Sequence, residues 1–216
     1  FAKFYGKDGK LQEGFSKTSE VTNQTPGTWY IEGETKSAEQ ALEALGDKKY
    51  VYGYDDAYKD STMFSMGSAR KVTVTQNMAK DGVVWPTAQF TFKGTGFDII
   101  SLTDNTSGAI YVYVYTGDKA EGTPKKYVVN NYYGYDYVEG KWVVKTDEGN
   151  NALYQIPVIK IKDLGYDTYT VVIKVGYSAF QDVANKGQYS FWLDAVRVYD
   201  PMGANNSDTY APDGEA

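Results

Sequence analysis

From Tyr50 onward, apolar and polar residues alternate with a period of two. Val72 and Val74 interleave with Lys71, Thr73 and Thr75, and Phe90 and Phe92 with Thr91 and Lys93. Tyr169, Val171, Ile173 and Val175 do the same with Thr168, Thr170 and Lys174. Alternation of this kind marks half-buried antiparallel strands, with one face in a core and the other in water. Turn chemistry separates the runs at Lys93–Gly96, Asn105–Gly108, Gly117-Asp118, Glu148–Asn151 and Leu164–Asp167. The pattern predicts strands near 50–54, 71–75, 87–93, 97–102, 109–116, 125–133, 153–162, 167–176 and 189–199. Short strands joined by such loops predict an all-β fold, a β-sandwich or barrel, rather than βαβ units.

Two of these strands change parity. Along 189–199 the apolar set moves from Phe191 and Leu193 to Val196 and Val198, which predicts a bulge near Asp194-Ala195 within one continuous strand. In 153–162, Pro157 interrupts the ladder at a point where a central strand needs its N–H.

Residues 1–49 read differently and are expected to form an N-terminal extension packing on a sandwich domain over 50–200. Phe4-Tyr5 and Leu11 flank an Asp8-Gly9 turn, and Trp29-Tyr30-Ile31 is a short apolar run. Ser37-Ala38-Glu39-Gln40 forms a capping-box pattern ahead of Ala41, Leu42 and Leu45, with Gly46 as a stop. A short helix over 37–45 is therefore expected. Residues 201–216 are polar and read as a linker or tail.

The order of the strands resembles the galactose-binding-like jelly-roll modules of large secreted or cell-surface bacterial proteins, many of them carbohydrate-binding. The resemblance rests on Phe92-Lys93-Gly94-Thr95-Gly96-Phe97 followed by Gly108–Val114, on Leu164–Ile173, and on Phe191-Trp192-Leu193-Asp194-Ala195-Val196-Arg197-Val198. It covers roughly residues 50–200. It implies an antiparallel two-sheet β-sandwich of jelly-roll type, an extracellular or cell-surface location, and neighbouring domains of a larger protein. The matched motifs belong to the scaffold, so no ligand residue is implied by them. An opening at Phe1 fits a mature form or an excised module.

Composition narrows the chemistry. Cysteine and histidine both number 0, which removes thiolate nucleophiles, disulfides, Ser-His-Asp triads and the common transition-metal sites. Enzyme activity is therefore not expected. The formal charge is −6, and only Arg70 and Arg197 supply guanidinium groups, so no basic stripe for nucleic acid is present. No apolar run reaches the roughly 18 residues that span a bilayer.

Tyrosine is abundant at 21 residues and supplies two candidate surfaces. The segment Asn130-Asn131-Tyr132-Tyr133-Gly134-Tyr135-Asp136-Tyr137, with Trp142, has the make-up of a recognition loop. Tyr132, Tyr133, Tyr135 and Trp142 would stack on sugar rings, and Asn130, Asn131 and Asp136 would bond hydroxyls. The other reading of the segment is a twisted edge hairpin. The second surface is the stripe Tyr111, Tyr113, Tyr115, either a glycan platform or a small core covered by Trp29–Ile31 or by the 37–45 helix. A net negative chain favours neutral or basic glycans over strongly anionic ones. No cofactor is expected. Asp55, Asp56, Asp60 and Asp194 are the acids from which a structural calcium site would be built, but they fit no EF-hand spacing, and solvated loop acids with Asp194 bonded to backbone are the plainer reading. A non-catalytic glycan-binding module is thus expected, with a structural spacer or adhesin-stalk module as the alternative.

Overall fold

The computed structural model describes residues 2–12, 27–32, 63–65, 69–75, 85–132, 135–144, 152–176 and 188–202. The predicted helix over 37–45, the strand near 50–54 and the acids Asp55, Asp56 and Asp60 lie outside the described residues.

The described chain is built from antiparallel strands. They are β1 (Lys3–Tyr5), β2 (Tyr30–Glu32), β3 (Ala69–Thr75), β4 (Thr87–Gly94), β5 (Gly96–Thr103), β6 (Ala109–Thr116) and β7 (Lys125–Asn130). Then follow β8 (Tyr135–Val138), β9 (Lys141–Val144), β10 (Leu153–Ile161), β11 (Asp167–Gly176), β12 (Gln188–Leu193) and β13 (Ala195–Tyr199). One layer is a five-stranded sheet in the order β1-β4-β11-β6-β7. The facing layer combines two three-stranded sheets, β10-β5-β13 and β12-β3-β2. β8 and β9 form a separate hairpin.

One core fills the space between the layers. The five-stranded sheet contributes Ala88, Phe90, Phe92, Ile110, Val112, Val114, Val171, Ile173 and Val175, and the facing layer Val72, Val74, Phe97, Ile99, Tyr189, Phe191 and Leu193. The residues assigned to alternating strands thus face inward as the period-two pattern requires. Phe97 meets Phe90 and Phe92 edge-on, with centroids 5.7 and 5.4 Å apart. Such aromatic pairs add about 0.5–1.5 kcal/mol beyond their area burial.

Residues 2–12 and 27–32 supply an edge strand to each layer. Phe4 on β1 and Trp29 just before β2 stack at 5.0 Å, and Trp29 meets Phe191 at 6.2 Å. Its indole N–H donates to the Tyr5 carbonyl at 3.2 Å, which ties the two layers together at this end. Trp29 therefore belongs to the main core and does not cover the tyrosine stripe.

The expected single strand over 189–199 is two strands in two sheets. β12 pairs with β3, β13 pairs with β5, and Asp194 stands between them. The parity change comes from the chain crossing from one sheet to the next rather than from a bulge. Pro157 does sit where a ladder tolerates it: β10 is an edge strand, and its pairing with β5 shifts register between Leu153 and Ile156 and between Pro157 and Ile159. A second small cluster, Phe64, Ala69, Leu102 and Trp192, forms apart from the main core.

Candidate functional site

The outward face of the five-stranded sheet follows from the register. Residues directly opposite in an antiparallel pair point to the same side. Lys3, Gln89, Val172, Tyr113 and Lys126 therefore form one row across β1, β4, β11, β6 and β7. Tyr5, Thr87, Lys174, Tyr111 and Val128 form the next, and Thr91, Thr170 and Tyr115 a third. Because Ile110, Val112 and Val114 fill the core side of β6, Tyr111, Tyr113 and Tyr115 are committed to this face.

These tyrosines are half-buried by their neighbours, while Val128 beside Tyr111 is 66% exposed and Lys126 and Lys174 are exposed. Trp85, immediately ahead of β4, packs on Tyr111 with centroids 5.3 Å apart and extends the aromatic row. Lys174 and Lys126 place their ammonium groups 5.1 and 5.9 Å from the Tyr113 centroid. Thr91 and Thr170 share a hydroxyl hydrogen bond of 3.1 Å, and Thr170 also donates to the Gly117 carbonyl. The surface is a broad aromatic strip bordered by hydroxyls, an amide and ammonium groups.

The second candidate segment begins where β7 ends, at the edge of this sheet. Asn130 pairs with Ala109 and is exposed, and its side-chain oxygen accepts the Tyr132 N–H at 3.1 Å. Asn131 is not displayed: it is 3% exposed, and its backbone N–H donates to the Gly108 carbonyl at 3.1 Å. Tyr132 is half-buried. Tyr133 lies outside the described residues. Tyr135 and Asp136 fall in β8 and Trp142 in β9, where Tyr137 is the register partner of Trp142. The β8–β9 turn is Glu139-Gly140, with φ of 49° and 79°, as a two-residue hairpin requires. The segment over 135–144 is thus a hairpin.

Two buried carboxylates lie elsewhere. Asp194 accepts from the Ser65 N–H at 2.8 Å and the Ser65 hydroxyl at 2.9 Å. Burial pushes its carboxyl above the ordinary aspartate range, and the two Ser65 bonds pull it partly back. Asp98, 0% exposed, accepts from the Tyr199 hydroxyl at 2.7 Å and from Arg197 at 3.2 Å. Neither joins other acids: among the described residues no group of three or more acids is placed to hold a metal ion.

Trp85, Lys126 and Lys174 are missed by alternation alone. Lys126 and Lys174 join the surface through the cross-strand register, and Trp85 through its packing on Tyr111, so residues far apart in sequence come together.

No protein-family model matches the chain, and no curated protein matches it. A solved structure of TmCBM61 in complex with beta-1,4-galactotriose is similar over 87% of this chain and 99% of that chain, at 12% identity and a TM-score of 0.25. Overlap at that level does not mark a shared fold. The all-β architecture stands on the strands and pairings of this chain.

Proposed function

We propose that the protein is a non-catalytic glycan-binding module and that its sandwich is a jelly roll of the galactose-binding-like type, carried by a secreted or surface-attached protein alongside other domains. The observation that carries the binding role is the outward row Tyr111, Tyr113 and Tyr115 on β6, continued by Trp85. Pyranose rings present apolar C–H faces to aromatic rings and hydroxyls to polar neighbours, here Gln89 and Thr91. Tyrosine also keeps a hydroxyl available beside its apolar body. Further contacts in this proposal come from the segment Asn130 to Trp142, through Tyr132, Tyr133, Tyr135, Trp142, Asn130 and Asp136. Binding is modest, because an open sheet surface buries little of its ligand.

Absence of catalysis is supported by the lack of histidine and cysteine and by the absence of carboxylates from the strand positions of this face. Paired acids across a scissile bond are what glycoside hydrolysis requires.

A glycan array tests the proposal, with wild type beside the pair Tyr113→Ala and Tyr115→Ala and the pair Trp142→Ala and Tyr133→Ala. Loss of binding in the first pair with retained folding supports the sheet face. Loss only in the second pair moves the site to the 130–142 segment. Silence of the wild-type protein across the array overturns the reading in favour of a structural spacer.

A further inference from the structure

The outer face of the five-stranded sheet carries a charge opposite to that of the whole chain. Lys3, Lys93, Lys126 and Lys174 occupy strand positions on it, and no aspartate or glutamate does. Asp118 and Glu121 sit in the β6–β7 connection beyond Tyr115, and Asp167 opens β11 on the core-facing parity. The chain as a whole has a formal charge of −6.

Two of the ammonium groups converge on one ring, Lys174 at 5.1 Å and Lys126 at 5.9 Å from the Tyr113 centroid. Neither lysine is paired with a carboxylate among the described residues. Two like charges gathered around a neutral ring repel one another, and an anion between them relieves that repulsion.

We propose that this face binds an acidic polysaccharide whose sugar rings carry carboxylates. The inference rests on the glycan-binding reading above and names its sugar class. Net charge points the other way, toward neutral glycans, but a ligand on the sheet responds to charges within a screening length of about 8 Å at physiological salt. Within that range it meets the lysines of the face. Sugar carboxylates fit better than sulfate esters. A uronic acid holds its single charge on the rim of the ring and leaves both ring faces apolar for tyrosine, with one ammonium to meet each carboxylate.

The test is affinity electrophoresis of the whole chain in gels containing polygalacturonate, its fully methyl-esterified form, dextran sulfate or poly-glutamate, alongside the glycan array. The expected result is retardation by polygalacturonate at least tenfold stronger than by the ester, fading as salt rises from about 0.05 M to about 0.5 M. Lys126→Gln/Lys174→Gln loses that retardation at an unchanged melting temperature, and Lys126→Arg/Lys174→Arg keeps it. Equal binding of acid and ester, or binding confined to neutral glycans, overturns the acidic class and leaves the glycan reading standing. Stronger retardation by dextran sulfate overturns the carboxylate assignment. Equal retardation by poly-glutamate makes the face a general polyanion surface and overturns both readings, as does silence toward every polymer and the array.

Discussion

The ring of Trp85 occupies the space that a side chain at position 176 would need. A Cβ on Gly176 would stand 2.7 Å from the Trp85 Cη2, closer than carbon atoms approach in proteins. Gly176 ends β11 beside Ala109 of β6, so its missing side chain lets the indole settle against Tyr111. Gly176→Ala should therefore displace Trp85 and cost about 1–3 kcal/mol, the usual range for overpacking. Thermal melts check this, with a fall of about 2–4 °C per kcal/mol for a chain of this size. In a Trp85→Ala background the same glycine change should cost almost nothing. Additive losses in that double-mutant cycle would show that the two residues do not compete for one space.

Asp98 predicts a difference between its two partners. Its carboxylate is fully buried, Tyr199 donates to it at 2.7 Å, and Arg197 reaches it from a side chain that is 62% exposed. Tyr199→Phe removes a short bond to a charged group and leaves the carboxylate under-satisfied, at a cost of about 1.5–3 kcal/mol. Arg197→Met removes a longer contact made by a guanidinium that is mostly in water, at a cost of about 1 kcal/mol or less. Urea denaturation at neutral pH should rank the two in that order. The reverse order would mean that the ion pair, and not the phenol, secures Asp98.

Much of the sandwich is legible because alternation reports burial directly. Val112, Val171 and Ile173 have no alternative to the core once a strand places them on its inner parity. The Gly94-Thr95-Gly96 motif is readable for a related reason. The Gly96 backbone approaches that of Ile161 and Lys162 so closely that a side chain there would meet them. The break at Asp194 is not legible, because a strand that changes sheets and a strand that bulges leave the same parity shift. Neither is the full extent of the proposed binding surface. Tyr111, Tyr113 and Tyr115 show their face through local spacing, whereas Lys126 and Lys174 join them only through tertiary pairing. Asn131 misleads in the opposite direction. Its composition suits a recognition loop, but the residue directly follows β7 with its side chain buried, 3% exposed.

Asp194 should leave a mark on the pH dependence of stability. Burial raises its folded-state pKa above the unfolded value, so the folded protein binds more protons than the unfolded chain between those two values. Stability therefore falls as pH rises through that window, which begins at the ordinary aspartate range and extends upward. Below the window both states are protonated, and the penalty is absent. Asp194→Asn keeps an oxygen for the Ser65 N–H and has no charge to desolvate, so that limb of the stability curve should flatten. Ser65→Ala should steepen it, because the two bonds that favour the ionised form are then reduced to the backbone one. Denaturation midpoints measured across mildly acidic pH decide the matter. A wild-type curve matched by Asp194→Asn at every pH would sink the assignment.

The buried amide of Asn131 should make the wild-type residue less stable than an apolar one of similar volume. Among the described residues, neither its side-chain oxygen nor its nitrogen has a hydrogen-bond partner, although the residue is 3% exposed. A buried polar group in that condition costs about 1–3 kcal/mol relative to one that is satisfied. Leucine has nearly the same shape and carries no polar atoms. The backbone bond from position 131 to the Gly108 carbonyl, which closes this end of the β6–β7 pair, does not depend on the side chain. Asn131→Leu should therefore raise the melting temperature, and Asn131→Ala should gain less because it leaves a cavity where leucine fills one. Glycan binding should survive Asn131→Leu, since the changed side chain is buried and Tyr111, Tyr113 and Tyr115 lie on the outer face of the sheet. A lower melting temperature for the leucine variant would show that the amide is held by bonds the folded protein needs. Lost binding at unchanged stability would instead return Asn131 to the recognition surface.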